Sequence, residues 1–69
     1  MKPSGRVIAR YQTDGAFPVQ WSVDGRGRHA VRYGEQVHTF KKSDDVKAAE
    51  EFGLCVRHAA ECAGLLDRN

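Results

Sequence analysis

Residues 17–33 read FPVQWSVDGRGRHAVRY, and this stretch decides the fold because it contains two alternating segments joined by a turn. From Phe17 to Val23 every second side chain is apolar, which predicts a strand with one buried face. The sequence DGRG at residues 24–27 is a turn signal. Residues 28–33, RHAVRY, then predict a second strand, with Val31 and Tyr33 opposite its arginines.

Further strands are predicted on both sides of this hairpin. Before it, RVIARYQT at residues 6–13 alternates and is followed by the turn signal Asp14-Gly15. After it, Gly34-Glu35 fits a two-residue hairpin loop, since glycine accepts a positive φ, and residues 36–40, QVHTF, would form a short fourth strand. Val37 and Phe40 point in opposite directions there, so burying both would need a bulge. Whether the fourth strand forms stays open at this point.

The C-terminal third predicts one amphipathic helix. Ser43 is the expected N-cap, and two aspartates follow it in the first turn, where carboxylates stabilise the helix dipole. From Val46 to about Leu66 apolar residues recur at helical spacing and fill one face. Gly53 lies in mid-helix at a cost of about 1 kcal/mol relative to Ala, which predicts close packing or a weak point there.

These elements predict an α+β fold: a three- to four-stranded antiparallel β-meander packed on one C-terminal helix, forming a single domain over residues 1–69. The helix covers one face of the sheet and leaves the other uncovered. The expected core is Val7, Ala9, Tyr11, Val19, Trp21, Val23, Val31, Phe52, Val56, Ala59 and Ala63. The expected uncovered face carries Ile8, Arg10, Gln20, Ser22, Arg28, Arg32, Gln36 and His38.

Composition favours a cytoplasmic protein without a membrane segment. The N-terminal residues contain only a three-residue apolar run, too short for a signal peptide or a membrane span. Cys55 and Cys62 are seven residues apart, about 10 Å along a helix, which is too far for a disulfide. We therefore expect reduced thiols that are buried as small apolar residues, and any further role of the two cysteines stays open.

No catalytic or metal site is predicted, and no cofactor is expected. Cys55, His58 and Cys62 share a flank of the helix, but the two sulfurs are too far apart to bind one zinc ion. A Cys-His nucleophile pair on one helix face would lack a third group to orient the imidazole. The sequence therefore predicts a binding module, not an enzyme.

A nucleic-acid interface is one candidate for the bound partner. Arginine forks fit phosphate and guanine edges, glutamine can pair with adenine, and a small twisted sheet can enter a major groove. The alternative is a solvated sheet face, because basic side chains on exposed strands also block edge pairing. The net charge of +2 is modest, and both interpretations stay open. The candidate residues are Arg10, Gln20, Arg26, Arg28, Arg32 and His38.

The sequence also resembles a known family of DNA-binding domains. The run WSVDGRGR at residues 21–28, the later Val31-Arg32-Tyr33 and Phe40, and DVKAAEEF at residues 45–52 look like the N-terminal arm-type domain of tyrosine recombinases. That domain has three strands with a basic glycine-containing hairpin and a Lys/Glu/Ala-rich helix, and it lays its sheet in the major groove. The resemblance spans residues 6 to about 55 and implies groove-facing roles for Arg10, Gln20, Arg28 and Arg32.

A protein partner is the other candidate. Leu54, His58 and Leu65 are expected on the helix flank away from the sheet, where aligned leucines suit a partner or a second copy of the chain. In size and style the chain also resembles small phage-encoded inhibitors of host machinery, including anti-CRISPR proteins. Our leading prediction is a small inhibitor or adaptor that docks on a host protein or nucleoprotein complex, and direct binding of DNA or RNA is the alternative.

Overall fold

The computed structural model describes residues 5–65, and it confirms the α+β fold. Four antiparallel strands form one sheet in the order β1-β2-β3-β4, and one helix packs against it. The predicted fourth strand therefore forms. The elements are β1 (Arg6–Tyr11), β2 (Val19–Val23), β3 (His29–Tyr33), β4 (Gln36–Phe40), a 3₁₀ turn (Lys42–Asp44) and α1 (Asp45–Cys62).

The register of β4 settles which of its side chains faces the helix. Val31 of β3 is fully buried and pairs with His38, while His29 pairs with Phe40, without any register shift. Residues directly opposite each other in an antiparallel pair lie on the same face, so Phe40 lies on the helix side. Val37 consequently lies on the other side and is 48% exposed. No bulge in β4 buries both apolar residues.

The irregularity occurs in β1 instead. Ala9 pairs with Trp21 on the helix side, but the register shifts between Val7 and Ala9, so that Val7 pairs with Ser22. Ile8 is the extra residue of this bulge, and it reverses the alternation. Val7 therefore faces away from the helix and is 50% exposed, and its predicted place in the core was wrong.

The core is small and is built around residues with short side chains. Val19 and Val31 from the sheet and Ala48 and Ala59 from α1 have no exposed surface. The two alanines let the helix backbone approach the sheet closely, and aromatic side chains close the rim. The partly buried residues packed on this centre are Tyr11, Ala16, Trp21, Tyr33, Phe40, Phe52 and Val56.

A buried imidazole lies at one end of this core. His29 is only 8% exposed, and its Nδ1 accepts a hydrogen bond of 3.1 Å from Nε1 of Trp21. The two rings are tilted by 46° with their centroids 5.9 Å apart. This bond satisfies a polar atom that would otherwise be costly to bury, and it requires Nδ1 to be unprotonated.

Both ends of α1 differ from the prediction. Ser43 was expected to be the N-cap, but it lies within the 3₁₀ turn, and Asp44 occupies the cap position without a side-chain hydrogen bond. At the other end Gly64 adopts φ +76°. Its amide donates to Glu61, and the Leu65 amide donates to Ala60.

These two C-terminal bonds form a Schellman motif, which ends α1 at Cys62. The helix was predicted to run to about Leu66, which lies outside the described residues. The two cysteines also differ from each other: Cys55 is buried as predicted, whereas Cys62 is exposed, so the prediction that it is buried was wrong.

Candidate nucleic-acid interface

The sheet has a face that α1 does not cover, here called the open face. Cross-strand pairing arranges its side chains in two rows. In the first row Arg10 pairs with Gln20, Gln20 with Arg32 and Arg32 with Val37. The second row consists of Val7, Ser22, Ala30 and Thr39. Two arginines with a glutamine between them therefore cross the middle of the open face.

The charges of the protein are divided between the sheet and the helix. Residues 5–42 contain seven Lys and Arg against three Asp and Glu, a net charge of +4, while residues 43–65 contain two against five, a net charge of −3. None of the residues in the four strands is acidic. The electric field of a polyanion would therefore orient the molecule with its sheet towards the polyanion.

The arginines of the open face are available to a partner. Between residues 5 and 65 the salt bridges join His38 to Glu51 and Arg57 to Glu61. Neither bridge involves Arg10 or the other arginines of the sheet half. Within the described range these guanidinium groups are thus not paired with a carboxylate, and no internal ion pair has to break before they contact a phosphate.

The β2–β3 hairpin carries two more arginines, and its turn is held by Asp24. One carboxylate oxygen, Oδ1, accepts the amides of Arg26 at 2.8 Å and Arg28 at 2.9 Å. These two bonds lower the pKa of the Asp24 carboxyl from its usual value, and the positive charges of the same two arginines add to the effect. The hairpin tip is therefore shaped by an ionised Asp24 at neutral pH.

A lysine extends this positive region. A Cβ atom on Gly27, whose φ is +86°, would come within 3.0 Å of Cδ of Lys42, so the Lys42 stem lies across the turn. Arg28, Lys41 and Lys42 also line one concave surface of about 490 Å³. The basic side chains of the hairpin and of the segment after β4 thus form one continuous patch.

The second row of the open face produces a shallow depression. Its short side chains, Ser22 and Ala30 among them, line a concave surface of about 350 Å³ together with Arg28. Short residues in the middle of a sheet leave room for a ligand to approach the backbone. The open face therefore has both positive charge and a concave region.

Two residues predicted for the open face lie on the other side. His38 pairs with the buried Val31, and its Nε2 is 3.7 Å from Oε2 of Glu51 in α1. Gln36 pairs with Tyr33 and shares that side. The prediction that His38 and Gln36 lie on the open face was wrong because the pairing of β4 with β3 places Val37 on the open face and its two neighbours on the helix side. Of the candidates, Arg10, Gln20, Arg28 and Arg32 lie on the open face, and Arg26 at the hairpin tip.

The predicted leucine stripe is not continuous. Leu54 is 64% exposed on α1, but Leu65 follows the Schellman turn and is no longer helical. His58 points towards the sheet, where its Nδ1 is 2.8 Å from the Tyr33 hydroxyl. These three residues therefore do not form the single helix flank that the helical spacing predicted.

The contact between His58 and Tyr33 gives a cluster that sequence reasoning missed. Cys62 lies one turn along α1, with its Sγ 3.9 Å from each nitrogen of the imidazole. Burial raises the pKa of the Tyr33 phenol from its usual value, and the neighbouring Cys62 adds to this. Tyr33 is 25 residues from His58 in sequence, so only the alternation of β3, which places it on the helix side, pointed to this contact.

Within residues 5–65 no helix is long and apolar enough to cross a membrane, and no group of three or more His, Cys, Asp or Glu residues has a geometry that could hold a metal ion. No protein-family model, curated protein or solved structure matches this chain.

Proposed function

We propose that this protein is a non-enzymatic, cytoplasmic binding module whose open face binds nucleic acid. The observation that carries the proposal is the division of charge: the uncovered side of the sheet presents Arg10 and Arg32 in a region of net charge +4, while the acidic residues concentrate on the helix. A surface of this kind attracts phosphates in one orientation.

The chemistry of the first row suits a duplex. A guanidinium can donate two parallel hydrogen bonds to a phosphate or to the O6 and N7 atoms of guanine, and the Gln20 amide can pair with adenine. Arg26 at the hairpin tip and Lys42 beside it are placed to contact the phosphate backbone. In this proposal the row between Arg10 and Arg32 enters a groove and the hairpin patch holds the flanking strand.

The decisive experiment measures affinity for duplex DNA at several salt concentrations. The test variant carries Arg10→Glu and Arg32→Glu, and the control carries Lys47→Glu and Arg57→Glu, which changes the net charge equally on the helix. We expect the test variant to lose about a hundredfold or more in affinity, and its salt dependence to fall by about two phosphate contacts. The control should lose much less.

Two results would contradict this proposal. The first is the absence of binding to duplex and to single-stranded DNA or RNA at low salt. The second is an equal loss of affinity in the two double variants, because net charge alone would then explain the binding. Circular dichroism of both variants, with an unchanged thermal midpoint, excludes unfolding as the cause of any loss.

Exposed apolar side chains favour a second candidate, a small inhibitor or adaptor that docks on a host protein or nucleoprotein complex. Val37 continues the arginine row at 48% exposed, and Leu54 on α1 is 64% exposed. Mixed apolar and arginine surfaces are typical of protein interfaces. A defined complex that co-purifies with the wild type and is lost with Val37→Glu, but retained with the nearby Thr39→Glu, would support this candidate. Equal retention by both variants would contradict it.

A further inference from the structure

A second concave surface lies at the end of the molecule where the β3–β4 hairpin meets the last turns of α1. It measures about 560 Å³, is open to solvent and combines aromatic, polar and ionisable side chains. The residues that line it are Phe17, Tyr33, Gly34, Glu35, Gln36, His58 and Cys62. It is separate from the open face, because Tyr33 and Gln36 lie on the helix side of the sheet.

Three of these residues form a chain of contacts. Oη of Tyr33 is 2.8 Å from Nδ1 of His58, the two rings meet edge to face with centroids 5.6 Å apart, and Sγ of Cys62 is 3.9 Å from both imidazole nitrogens. A nucleophile, a base and a group that orients the base are the three parts that activate a thiol. The sequence alone offered only the first two.

The other cysteine of the same helix provides a contrast. Cys55 is buried, and desolvation together with the nearby Glu51 carboxylate raises the pKa of its thiol to about 11. Its Sγ lies 3.6 Å from Oε2 of Glu51, an acceptor that favours the protonated thiol. Since the thiolate is the nucleophile, Cys55 is unreactive at neutral pH, whereas Cys62 is exposed beside a base and a concave surface.

We propose that Cys62 is a modification site at which the thiol exchanges with a low-molecular-weight disulfide to give a mixed disulfide. The His58 imidazole takes the thiol proton on Nε2, the nitrogen that Tyr33 does not contact, and the Cys62 thiolate attacks one sulfur of the disulfide. The disulfide bond of the reagent breaks as a bond forms between Sγ and the attacked sulfur. The other half leaves as a thiolate and takes the proton from the imidazolium. Cys62 is thereby oxidised, and the departing half is reduced to a thiol.

Tyr33 acts as the positioning residue in this exchange. A hydroxyl oxygen can accept a hydrogen bond, so it accepts from Nδ1–H of the neutral ring, which leaves Nε2 free as the base, and it still accepts from Nδ1–H once His58 is protonated. The imidazole is thus held in place in both states. Tyr33 itself does not contact the sulfur that is attacked.

The first experiment treats the full-length chain with glutathione disulfide at neutral pH and follows the adduct by intact mass and peptide mapping. We expect one glutathionyl group on Cys62 and none on Cys55, so that Cys62→Ser abolishes the adduct and Cys55→Ser leaves it unchanged. Equal labelling of both cysteines would overturn the proposal, because it would indicate reaction from an opened state. A disulfide-linked dimer formed in place of the adduct would overturn it as well.

The second experiment measures the exchange rate in variants of the two assisting residues. His58→Ala should slow the exchange by about tenfold or more, and imidazole added to the buffer should restore part of the rate because the site is open to solvent. Tyr33→Phe retains the aromatic contact and should slow the exchange about threefold, the effect of one lost hydrogen bond. The ¹⁵N shifts of His58 should report a change of tautomer population in that variant.

Two rate outcomes would contradict the assigned roles. An unchanged rate in His58→Ala would show that exposure alone makes Cys62 reactive. A slower rate that imidazole does not restore would assign His58 a purely structural role. Because the site lies on the helix side of the sheet, these outcomes are independent of whether the open face binds nucleic acid.

Discussion

The two faces of the sheet come from the same twenty-odd residues but differ in almost every property. On the helix side, Val19 and Val31 have no exposed surface and pack against the buried alanines of α1. On the open face the paired positions are Arg10, Gln20 and Arg32. Stability therefore depends on one face, and any binding through charge depends on the other.

Only one side of the sheet is covered in the part of the chain that the structure describes. Within residues 5–65, α1 packs on the side that carries Val19 and Val31, and the other side stays in contact with solvent. We expect substitutions on the two faces to separate folding from binding, and the following predictions test that separation.

The largest effect is expected from a pair of valines in adjacent strands. Val31→Ala removes two methyl groups from a fully buried side chain and should lower the free energy of unfolding by about 2 kcal/mol. Val37→Ala makes the same change on the open face and should alter it by less than about 0.5 kcal/mol. Urea denaturation measures both, and equal losses would show that a partner or a second copy covers the open face.

An effect of about 1 kcal/mol is expected from two glycines of the helix region. A Cβ added at Gly53 or at Gly64 would meet nothing within 4 Å, but only Gly64 has a positive φ, of +76°. Gly53→Ala should therefore stabilise the protein by up to about 1 kcal/mol, and Gly64→Ala should destabilise it by about 1 kcal/mol. Thermal or urea unfolding measures both.

Gly53→Ala and Gly64→Ala also test whether binding by the open face depends on the stability of the helix. Neither glycine contributes to the open face, so both variants should bind nucleic acid like the wild type. A change in affinity that followed the change in stability would mean that the open face depends on the helix. The sign for Gly53 also decides the earlier alternative, since a site without neighbouring atoms is a weak point and not a close contact.

The effect that is smallest at neutral pH, because it appears only in alkaline solution, is a pH dependence that belongs to the helix side. The pKa of the Cys55 thiol is raised from 9.0 to about 11, so between these values the folded state binds more protons than the unfolded state. Stability must therefore fall as the pH rises from about 9 to about 11. Cys55→Ala should flatten the decline of the thermal midpoint in that range, and an equally steep decline in this variant would contradict the prediction.

Much of the fold could be predicted from local sequence. The bounds of β4 were predicted from alternation, and two turns were predicted from glycines that accept a positive φ: Gly15 and Gly34 do have positive φ values of 89° and 62°. The end of α1 was also readable, because Gly64 lies where a C-cap glycine would be expected. The leucines that follow Gly64 continue the helical spacing of apolar residues, and the helix was therefore predicted to extend past this glycine.

The remaining errors arise where a single residue changes the register. Alternation assigned Val7 to the core and His38 to the open face, and both assignments failed. No residue type in the sequence marks the bulge at Ile8. In β4 the two apolar residues, Val37 and Phe40, point to opposite faces, and the sequence does not indicate which of them is buried. Pairing with β2 and β3 decides both cases, and pairing is a long-range property.

The two candidate sites differ in how far the sequence could reveal them. The arginines of the open face follow from alternation in a single strand at a time, so Arg10, Arg28 and Arg32 were found. The cluster at Cys62 depends on a contact between Tyr33 and His58, 25 residues apart. Such a contact depends on where the helix crosses the sheet, which the small side chains of Ala48 and Ala59 determine.

The Asp24 turn has a consequence for how this protein could acquire new partners. The loop is held by its own amides and by one carboxylate oxygen of Asp24, and the side chain of Arg26 makes no hydrogen bond that holds it. That position can therefore accept many residue types while the backbone keeps its shape. Substitutions at the hairpin tip could therefore change what the protein recognises without lowering the stability of the fold.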